Sequence, residues 1–212
     1  MSEAVSIQQD GAAAARAALE RCITAGGVAV FPADGLYGLA CDPLDETAVE
    51  RIHALKGRDL DKPSAVMYFS PLAMRELVSA LGRRSRAAVA ALLPGAVTLV
   101  LANPERRYPL ACRASPEQLG VRLIEGPLAG VMTPVLQTSA NRSGEPAPAS
   151  LTELDDAIRS RVDLTLDAGR LNGRPSTVVD LSRIEQGGGW EILREGALAR
   201  ADVEAALEPA GS

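Results

Sequence analysis

Aromatic residues make up only 3% of this 212-residue chain, which also contains a single histidine and three cysteines. The 47% of hydrophobic residues are enough for a core, and because so few are aromatic, that core must be built from Ala, Val, Leu and Ile. This composition favours a layered α/β or α+β protein over an aromatic-rich β-sandwich. Cys22, Cys41 and Cys112 are odd in number and irregularly spaced. This pattern argues against a disulfide framework or a zinc site and indicates reduced thiols in the cytosol.

His53, the only histidine, lies beside the apolar face of a predicted helix. A lone histidine without a nearby cysteine or second histidine is most often structural or exposed, although a catalytic role stays open. A hydrolase of the Ser-His-Asp type is correspondingly disfavoured.

No long apolar run is present, since the most apolar stretch, 87–102, is interrupted by Pro94 and Gly95 and is too short for a membrane span. The N-terminal residues show no basic segment followed by an apolar one, so no secretory signal is predicted. The net charge of -5 argues against coating of nucleic acid by bulk electrostatics but allows a local basic groove. We therefore expect a cytoplasmic protein without a membrane partner.

The most informative stretch is 28–63, in which an apolar strand leads through a glycine-containing loop and a helix to three cations. Lys56, Arg58 and Lys62 surround Gly57 and precede a proline. Arginine recognises phosphate oxygens in pairs and lysine acts as a point charge, so this spacing predicts a polyphosphate site. The alternative is a solvated helix end, where cations favour the helix dipole.

Hydrophobic periodicity, caps and breakers predict the other elements of one domain spanning 1–212, with its core at about 12–197 and a C-terminal helix and tail. Helices are predicted over 12–24, 71–81, 83–92, 150–160 and 201–207, with a helix capped by Asp45 or Thr47 that ends at Gly57 and a short helical piece over 128–132. Strands are predicted over 28–31, 65–69, 97–102, 120–123, 135–138, 164–166, 177–181 and 190–193, the last two forming an antiparallel hairpin through 187–189.

A second informative stretch, 139–144, follows a predicted strand and is rich in hydroxyl and amide side chains. Ligands collect at the carboxyl ends of strands in open α/β sheets, so these side chains are candidates for a binding site. The alternative is a local turn stabilised by Ser and Asn. The arginine clusters at 83–86 and 106–107 are interpreted either as solvent-exposed residues at the beginning of a helix or as residues that contact RNA.

Neither a P-loop nor a Gly-x-Gly-x-x-Gly motif occurs. The ordered motifs PADGLYGLACDP, KGRDLDKP, LPGAVTLVL, GVRL, TSANRSGEP and GRPSTVVD with ILREG instead resemble the YrdC/Sua5 family of threonylcarbamoyl-AMP synthases over about 12–197. The length is similar to that of the short, single-domain members. The resemblance implies a twisted, mixed open sheet flanked by helices, with a basic concave groove.

The resemblance also implies an enzyme, a nucleotidyltransferase that forms threonylcarbamoyl-AMP and pyrophosphate from L-threonine, bicarbonate and ATP with Mg²⁺. The product would serve N6-threonylcarbamoyladenosine (t6A) modification of tRNA through a downstream transferase machinery. Carried over by position, the catalytic residues are Lys56 and Arg58. The ATP-binding residues are Lys56, Arg58, Lys62, Ser139, Asn141 and Arg194. The threonine-binding residues are Gly35, Tyr37, Arg122, Ser139 and Ser176.

Three positions differ from the usual family pattern and keep a second function open. Ala33 and Gly35 stand where the family commonly has threonines, and Met67 stands where long members often have a histidine. The alternative is a YrdC-like paralogue that binds nucleotide, double-stranded RNA or tRNA without threonylcarbamoyl transfer.

Overall fold

A computed structural model describes residues 2–208 of the chain. Within this range ten strands form one mixed sheet, flanked by seven α-helices. The strands are β1 (Glu3–Ser6), β2 (Ala29–Pro32), β3 (Tyr37–Cys41), β4 (Ala65–Tyr68), β5 (Val97–Ala102), β6 (Gln118–Leu123), β7 (Val135–Ser139), β8 (Leu164–Asp167), β9 (Thr177–Asp180) and β10 (Glu191–Arg194). The helices are α1 (Gly11–Thr24), α2 (Glu46–Lys56), α3 (Pro71–Ala80), α4 (Arg83–Leu92), α5 (Pro109–Cys112), α6 (Asp156–Arg159) and α7 (Arg200–Leu207).

The sheet order is β1-β8-β2-β3-β7-β4-β6-β5-β9-β10. Four pairs are parallel, namely β1 with β8, β8 with β2, β4 with β6, and β5 with β9, and the other five are antiparallel. The mixed, helix-flanked sheet confirms the predicted fold class. The predicted hairpin at the end of the chain is also correct, since β9 and β10 pair antiparallel.

Both faces of the central strands are buried, and each face has its own core. In β2, Val30 packs into the core under α2 to α7, whereas Ala29 and Phe31 pack into a smaller core with α1. Because side chains alternate between faces, strands that are covered on both sides read as continuous apolar runs. This explains why the sequence predicted most of the central strands.

The face that carries α1 is only partly covered, and its open part holds the cavity described below. Helix α1 packs against β1, β2 and β8 at one end of the sheet. Thr98, Arg122 and Gln137, from β5, β6 and β7, line the cavity instead. Their sequence neighbours Leu99, Val121 and Leu136 face the larger core. Position along the sheet therefore decides whether the α1 face is core or binding surface.

Helix α2 positions the first predicted site residues. Of its two proposed caps, Asp45 is the one used, because its carboxylate accepts a hydrogen bond from the Ala48 backbone N–H at 3.0 Å. The helix ends at Gly57, whose φ of 56° lies in the left-handed region that glycine adopts without steric cost. The chain therefore leaves α2 sharply, with Lys56 in the last turn.

Two predicted helices are wrong in extent or type. In place of one helix over 150–160, a 3₁₀ turn (Leu151–Glu153) is followed by α6, because Leu154 is extended and the Asp155 side chain caps the second piece. In place of the predicted helical piece over 128–132, residues 127–130 form a turn, and Gly130 has a φ of 97° that an α-helix does not allow.

Strands β1 and β3 and the short helix α5 were missed by the sequence analysis. Strand β3 follows a tight turn and contains Gly38, which masked its pattern. Of the tail predicted over 208–212, residues 209–212 lie outside the described range. No helix within residues 2–208 is long and apolar enough to cross a bilayer.

Candidate active site

One cavity of about 490 Å³ gathers most of the predicted site residues. Its wall is formed by the start of β3, strands β4 to β7, the loops after α2 and β7, and strands β9 and β10. Its polar and charged lining residues are Lys56, Arg58, Lys62, Ser64, Thr98, Arg122, Gln137, Thr138, Ser139, Asn141, Ser143, Arg174, Ser176 and Arg194. Four arginines and two lysines line it without an aspartate or glutamate among the lining residues, although the whole chain carries a net charge of -5. Such a concentration of cations attracts polyanions.

Lys56 is turned toward the loop after β7 and is only 4% exposed. Its Nζ donates to the backbone oxygens of Ser139 and Asn141, the latter at 2.7 Å, and to Asn141 Oδ1 at 3.2 Å. These acceptors, together with Ser139 Oγ at 3.4 Å, engage all three N–H donors of the ammonium group. The Lys56 backbone carbonyl also accepts the Ser143 N–H at 2.8 Å. Lys56 therefore holds the 139–143 loop in place.

Burial, and secondarily the charge of Arg58, lowers the pKa of Lys56 from 10.5 to about 8. The ammonium form still dominates at neutral pH. Its positive charge therefore lies in the wall of the cavity, with Nζ 3.4 Å from Ser139 Oγ.

Asn141 stabilises the same loop from within. Its Nδ2 donates to the carbonyl of Arg142 at 3.0 Å and to that of Glu145. Since its Oδ1 is bound by Lys56, both ends of the amide are engaged. The predicted ATP ligands of this loop thus divide: Ser139 offers its hydroxyl to the cavity, whereas Asn141 shapes the loop.

Arg58 and Lys62 follow α2 in the chain and also line the cavity. Arg58 donates to Thr138 Oγ1 at 2.9 Å and to the Pro63 carbonyl at 2.7 Å, and burial lowers its pKa. These bonds fix the guanidinium with further N–H donors left over. Lys62 is exposed, and its Nζ has no hydrogen bond or ion pair within residues 2–208.

A third cationic position is built by β9 and β10. Arg194 Nη2 donates to the Ser176 carbonyl at 2.8 Å and to Ser176 Oγ at 3.2 Å, and Ser176 Oγ lies 3.0 Å from Thr98 Oγ1. The antiparallel pairing of β9 and β10 thus places Arg194 and Ser176 side by side. Both had been predicted from separate motifs.

Arg122 is as deeply buried as Lys56, at 4% exposure. Its Nη1 donates to the Ala33 carbonyl and to Gln137 Oε1, both at 3.3 Å, and its Nη2 lies 3.6 Å from a carboxylate oxygen of Asp34. Burial lowers the pKa of Arg122 to about 10, against the opposing effect of Asp34. Arg122 therefore remains charged at neutral pH.

Two of the predicted threonine-binding residues have other contacts. Tyr37 lines the cavity, but its hydroxyl donates to the Gly169 carbonyl at 2.8 Å and accepts the Ala168 N–H at 2.9 Å. Gly35 is not among the lining residues, and a Cβ there would overlap the carbonyl oxygen of Arg174. Its glycine is required by the close approach of the 172–174 segment.

His53 has a structural environment. It is 2% exposed, and its Nδ1 lies 3.0 Å from the carbonyl oxygen of Asp59. Burial, together with Arg58 and Arg113, lowers its pKa below the usual value, so the ring is neutral. His53 therefore supports the loop that carries Arg58.

The arginines proposed for RNA contact are partly neutralised by neighbouring carboxylates. Arg106 pairs with Glu117 at 2.7 Å, and Arg107 pairs with Glu76 at 3.0 Å and Glu105 at 2.7 Å. The clusters at 83–86 and 106–107 are absent from the lining of the cavity.

The sequence analysis did not assign Arg174, Thr98, Thr138 or Gln137 to the site, although all four line the cavity. Arg174 lies within the GRPSTVVD motif, next to Ser176, so its position was a usable signal. Thr98 and Gln137 lie inside apolar strands and carry no such signal. Only the sheet order brings them to the cavity.

The family model described as Telomere recombination, Sua5/YciO/YrdC, matches residues 21–196. A curated Chromobacterium violaceum protein named threonylcarbamoyl-AMP synthase is 34% identical over 163 residues, which cover 74% of this chain and 83% of that protein. The chain belongs to the Sua5/YciO/YrdC family. This membership confirms the resemblance predicted from the ordered motifs.

Two solved structures of the Sua5/YciO/YrdC family are similar to almost the whole chain. Pyrococcus abyssi Sua5 complexed with L-threonine has a TM-score of 0.82 at 26% identity and covers 98% of this chain. The match spans 61% of that Sua5 chain. E. coli YciO has a TM-score of 0.78 at 25% identity, with 96% of this chain and 100% of that chain covered.

Proposed function

We propose that this chain is an L-threonylcarbamoyladenylate synthase, a nucleotidyltransferase that joins L-threonine, bicarbonate and ATP into threonylcarbamoyl-AMP and pyrophosphate. The observation that carries the proposal is the cavity itself, in which six cations from separate segments face one space of about 490 Å³ without a carboxylate in its lining. The name of the Chromobacterium violaceum relative and the threonine bound to Pyrococcus abyssi Sua5 support the choice of substrates.

The reaction begins with a carbamate. The threonine amine, in its neutral form, attacks the carbon of bicarbonate, and water leaves. A carbamate oxygen then attacks the α-phosphorus of ATP, and pyrophosphate departs with the electron pair of the broken P–O bond. No protein nucleophile is needed, so the enzyme acts by alignment and by stabilising negative charge.

Arg58 and Lys62 are the residues proposed to bind the departing pyrophosphate. Arg58 is fixed by Thr138 and Pro63 and keeps free donors, whereas Lys62 is exposed at the edge of the cavity. Lys56 contributes its positive charge and, through its hydrogen bonds to the Ser139 and Asn141 carbonyls, positions the 139–143 loop. Asn141 takes part through the shape of this loop.

Arg194 and Arg122 divide the remaining anionic groups between them. Arg194, held against Ser176, faces the space assigned to the nucleotide. Arg122, buried in the α1 face of the sheet, suits the threonine carboxylate because its Nε and Nη2 have no hydrogen-bond partner. Ser176 and Tyr37 complete the wall on the amino-acid side.

Mg²⁺ is proposed to enter with ATP. Residues 2–208 contain no cluster of three or more His, Cys, Asp or Glu side chains arranged to hold a metal ion. Oxygen ligands for Mg²⁺ are then expected from the ATP phosphates and water, with hydroxyl groups of the cavity in support. The bound ion would neutralise phosphate charge during transfer.

The product is proposed to pass in the cytoplasm to a downstream t6A transferase that modifies tRNA. Direct binding of tRNA or double-stranded RNA is not part of this proposal, because Arg106 and Arg107 form ion pairs with carboxylates. Bicarbonate, tRNA and the transferase are therefore partners inferred from the reaction.

The test is pyrophosphate release by the purified protein with ATP, L-threonine, bicarbonate and Mg²⁺, with threonylcarbamoyl-AMP identified by mass spectrometry. Pyrophosphate that depends on threonine, and its loss in Arg58→Ala, are the expected results. Tight ATP binding without pyrophosphate release, together with failure to restore t6A in cells that lack the synthase, would instead favour the nucleotide-binding paralogue.

A further inference from the structure

Arg113 carries buried hydrogen-bond donors that no residue of the described chain satisfies. Within residues 2–208, five buried side-chain nitrogen and oxygen atoms have no hydrogen-bond partner. Two are Nε and Nη2 of Arg122 in the cavity, and two are the same atoms of Arg113, which is not among the lining residues. Buried polar atoms are nearly always paired in folded proteins, so these donors indicate a ligand at Arg113, outside the cavity.

The backbone at Arg113 has a conformation that normally requires glycine. Its φ of 48° and ψ of -118° are typical of the first central position of a type II′ turn, which the Ser115 N–H closes by donating to the Cys112 carbonyl at 2.9 Å. A residue with a Cβ adopts a positive φ of this kind only at a steric cost. Strained residues are concentrated at binding sites, which favours a binding role for the Arg113 side chain.

The Arg113 turn is held directly against the loop that follows α2. The Ala114 N–H donates to the Asp61 carbonyl at 3.3 Å, and the Ser64 N–H donates to the Ala111 carbonyl at 2.8 Å. Ser64 Oγ is the fifth of the buried atoms without a partner. Three of these five atoms therefore belong to two segments that are hydrogen-bonded to each other.

The positive charge of Arg113 has no ion pair among residues 2–208, and a guanidinium group stays protonated in proteins. Asp59, in the neighbouring loop, instead uses Oδ1 to accept the Asp61 N–H at 3.0 Å. The charge of Arg113 extends to His53, where it adds to that of Arg58 in lowering the pKa of the ring. Water could accept hydrogen bonds from Arg113 but could not balance its charge, so the site favours an anion.

The two donors of Arg113 define the chemistry of this anion. Nε and Nη2 lie on one edge of the guanidinium group, where parallel N–H groups bind two oxygen atoms of the same oxyanion. We propose that Arg113 binds a small inorganic oxyanion, of the size of phosphate, beside the loop after α2 and outside the cavity. Such an anion would neutralise Arg113 and stabilise the contact between its turn and the loop that carries Arg58 and Lys62. The inference goes beyond the proposed function and does not depend on it.

His53 provides a local probe of this site, because it is the only histidine of the chain. An oxyanion at Arg113 would offset one of the two cations that lower the His53 pKa, so this pKa should rise when inorganic phosphate replaces chloride at constant ionic strength. NMR titration of the imidazole signals measures this pKa and, at fixed pH, the dissociation constant for phosphate. Arg113→Gln should raise that constant by at least about tenfold, as for the loss of charged hydrogen bonds. Arg113→Gly is the second variant, because glycine adopts a φ of 48° without steric cost.

Arg58→Gln is the matched control, since it removes the other cation that acts on His53 and belongs to the cavity. This variant should keep the response of His53 to phosphate. A His53 pKa that does not respond to phosphate in the wild type, or a dissociation constant that changes by less than about tenfold in both Arg113 variants, would overturn the inference. A response lost in Arg58→Gln and kept in Arg113→Gln would place the anion in the cavity and would also overturn it. A lack of pyrophosphate release from ATP would count against the proposed function alone.

Discussion

Replacement of Lys56 by methionine tests whether this residue holds the loop after β7 or binds phosphate directly. Methionine preserves most of the buried alkyl chain and removes the ammonium group. The loss would free the carbonyl oxygens of Ser139 and Asn141 and the Asn141 side-chain oxygen from their donor. Because the Lys56 side chain is only 4% exposed, water can replace the donor only in part.

The magnitude follows from two opposing terms. Three charge-assisted hydrogen bonds at about 1.5–3 kcal/mol each give a stabilisation of roughly 5–9 kcal/mol. The lowering of the Lys56 pKa from 10.5 to about 8 corresponds to roughly 3 kcal/mol against the charged form, at about 1.36 kcal/mol per pH unit. The free energy of unfolding should therefore fall by about 2–5 kcal/mol in Lys56→Met, since the loop can relax and recover part of the loss.

The assay is urea denaturation of wild type and variant, with hydrogen exchange of the 139–145 segment as a local measure. Lys62→Met is the matched control, because Lys62 is exposed in the same basic group and its side chain forms no bond within the described part of the chain. It should reduce ATP affinity while changing the unfolding free energy by less than about 0.5 kcal/mol. If Lys56→Met kept full stability and normal exchange but lost ATP binding, the loop-holding role would be refuted.

Three further outcomes are expected. Since the pKa of Lys56 is about 8, its charge is present near neutral pH and is lost as the pH rises through that value. ATP affinity, measured by calorimetry, should therefore weaken above about pH 8 by up to roughly tenfold per pH unit. An ATP affinity that stays constant up to about pH 9.5 would contradict this prediction. Gly35→Ala should impair threonine binding and lower stability by about 1–3 kcal/mol in thermal denaturation, because the new Cβ would overlap the Arg174 carbonyl; wild-type behaviour would show that the turn adapts freely. His53→Gln should keep the rate of pyrophosphate release within about threefold and lower the free energy of unfolding by about 1 kcal/mol. The reason is that the ring has a structural contact, with Nδ1 at hydrogen-bond distance from the Asp59 carbonyl. A loss of rate above about a hundredfold would instead support a catalytic role for His53.

The neighbourhood of Lys56 shows how a correctly chosen residue can have a different contact from the one expected. The spacing of Lys56, Arg58 and Lys62 predicted three phosphate contacts, and all three residues line the cavity. The structure turns Lys56 toward the Ser139 loop and leaves Arg58 and Lys62 with free donors. Spacing along a helix end predicts which residues share a site, but the direction of each side chain depends on acceptors that lie about eighty residues further along the chain.

The sequence by itself determined the elements whose signals are local and the family to which they belong. Helix α2 is an example, because the cap at Asp45 and the stop at Gly57 are set by neighbouring residues. The buried strands β2 and β4 are another, because burial on both faces leaves an uninterrupted apolar run.

Only the tertiary structure decided how the site is assembled. The order of the sheet places β5 beside both β6 and β9, and this order brings Thr98, Arg122 and Ser176 to one wall of the cavity. The turn that places Asp34 next to Arg122 is likewise held by contacts with the distant 172–174 segment. Pairing between strands that are far apart in sequence depends on the packing of the whole sheet, and no local pattern of residues encodes it.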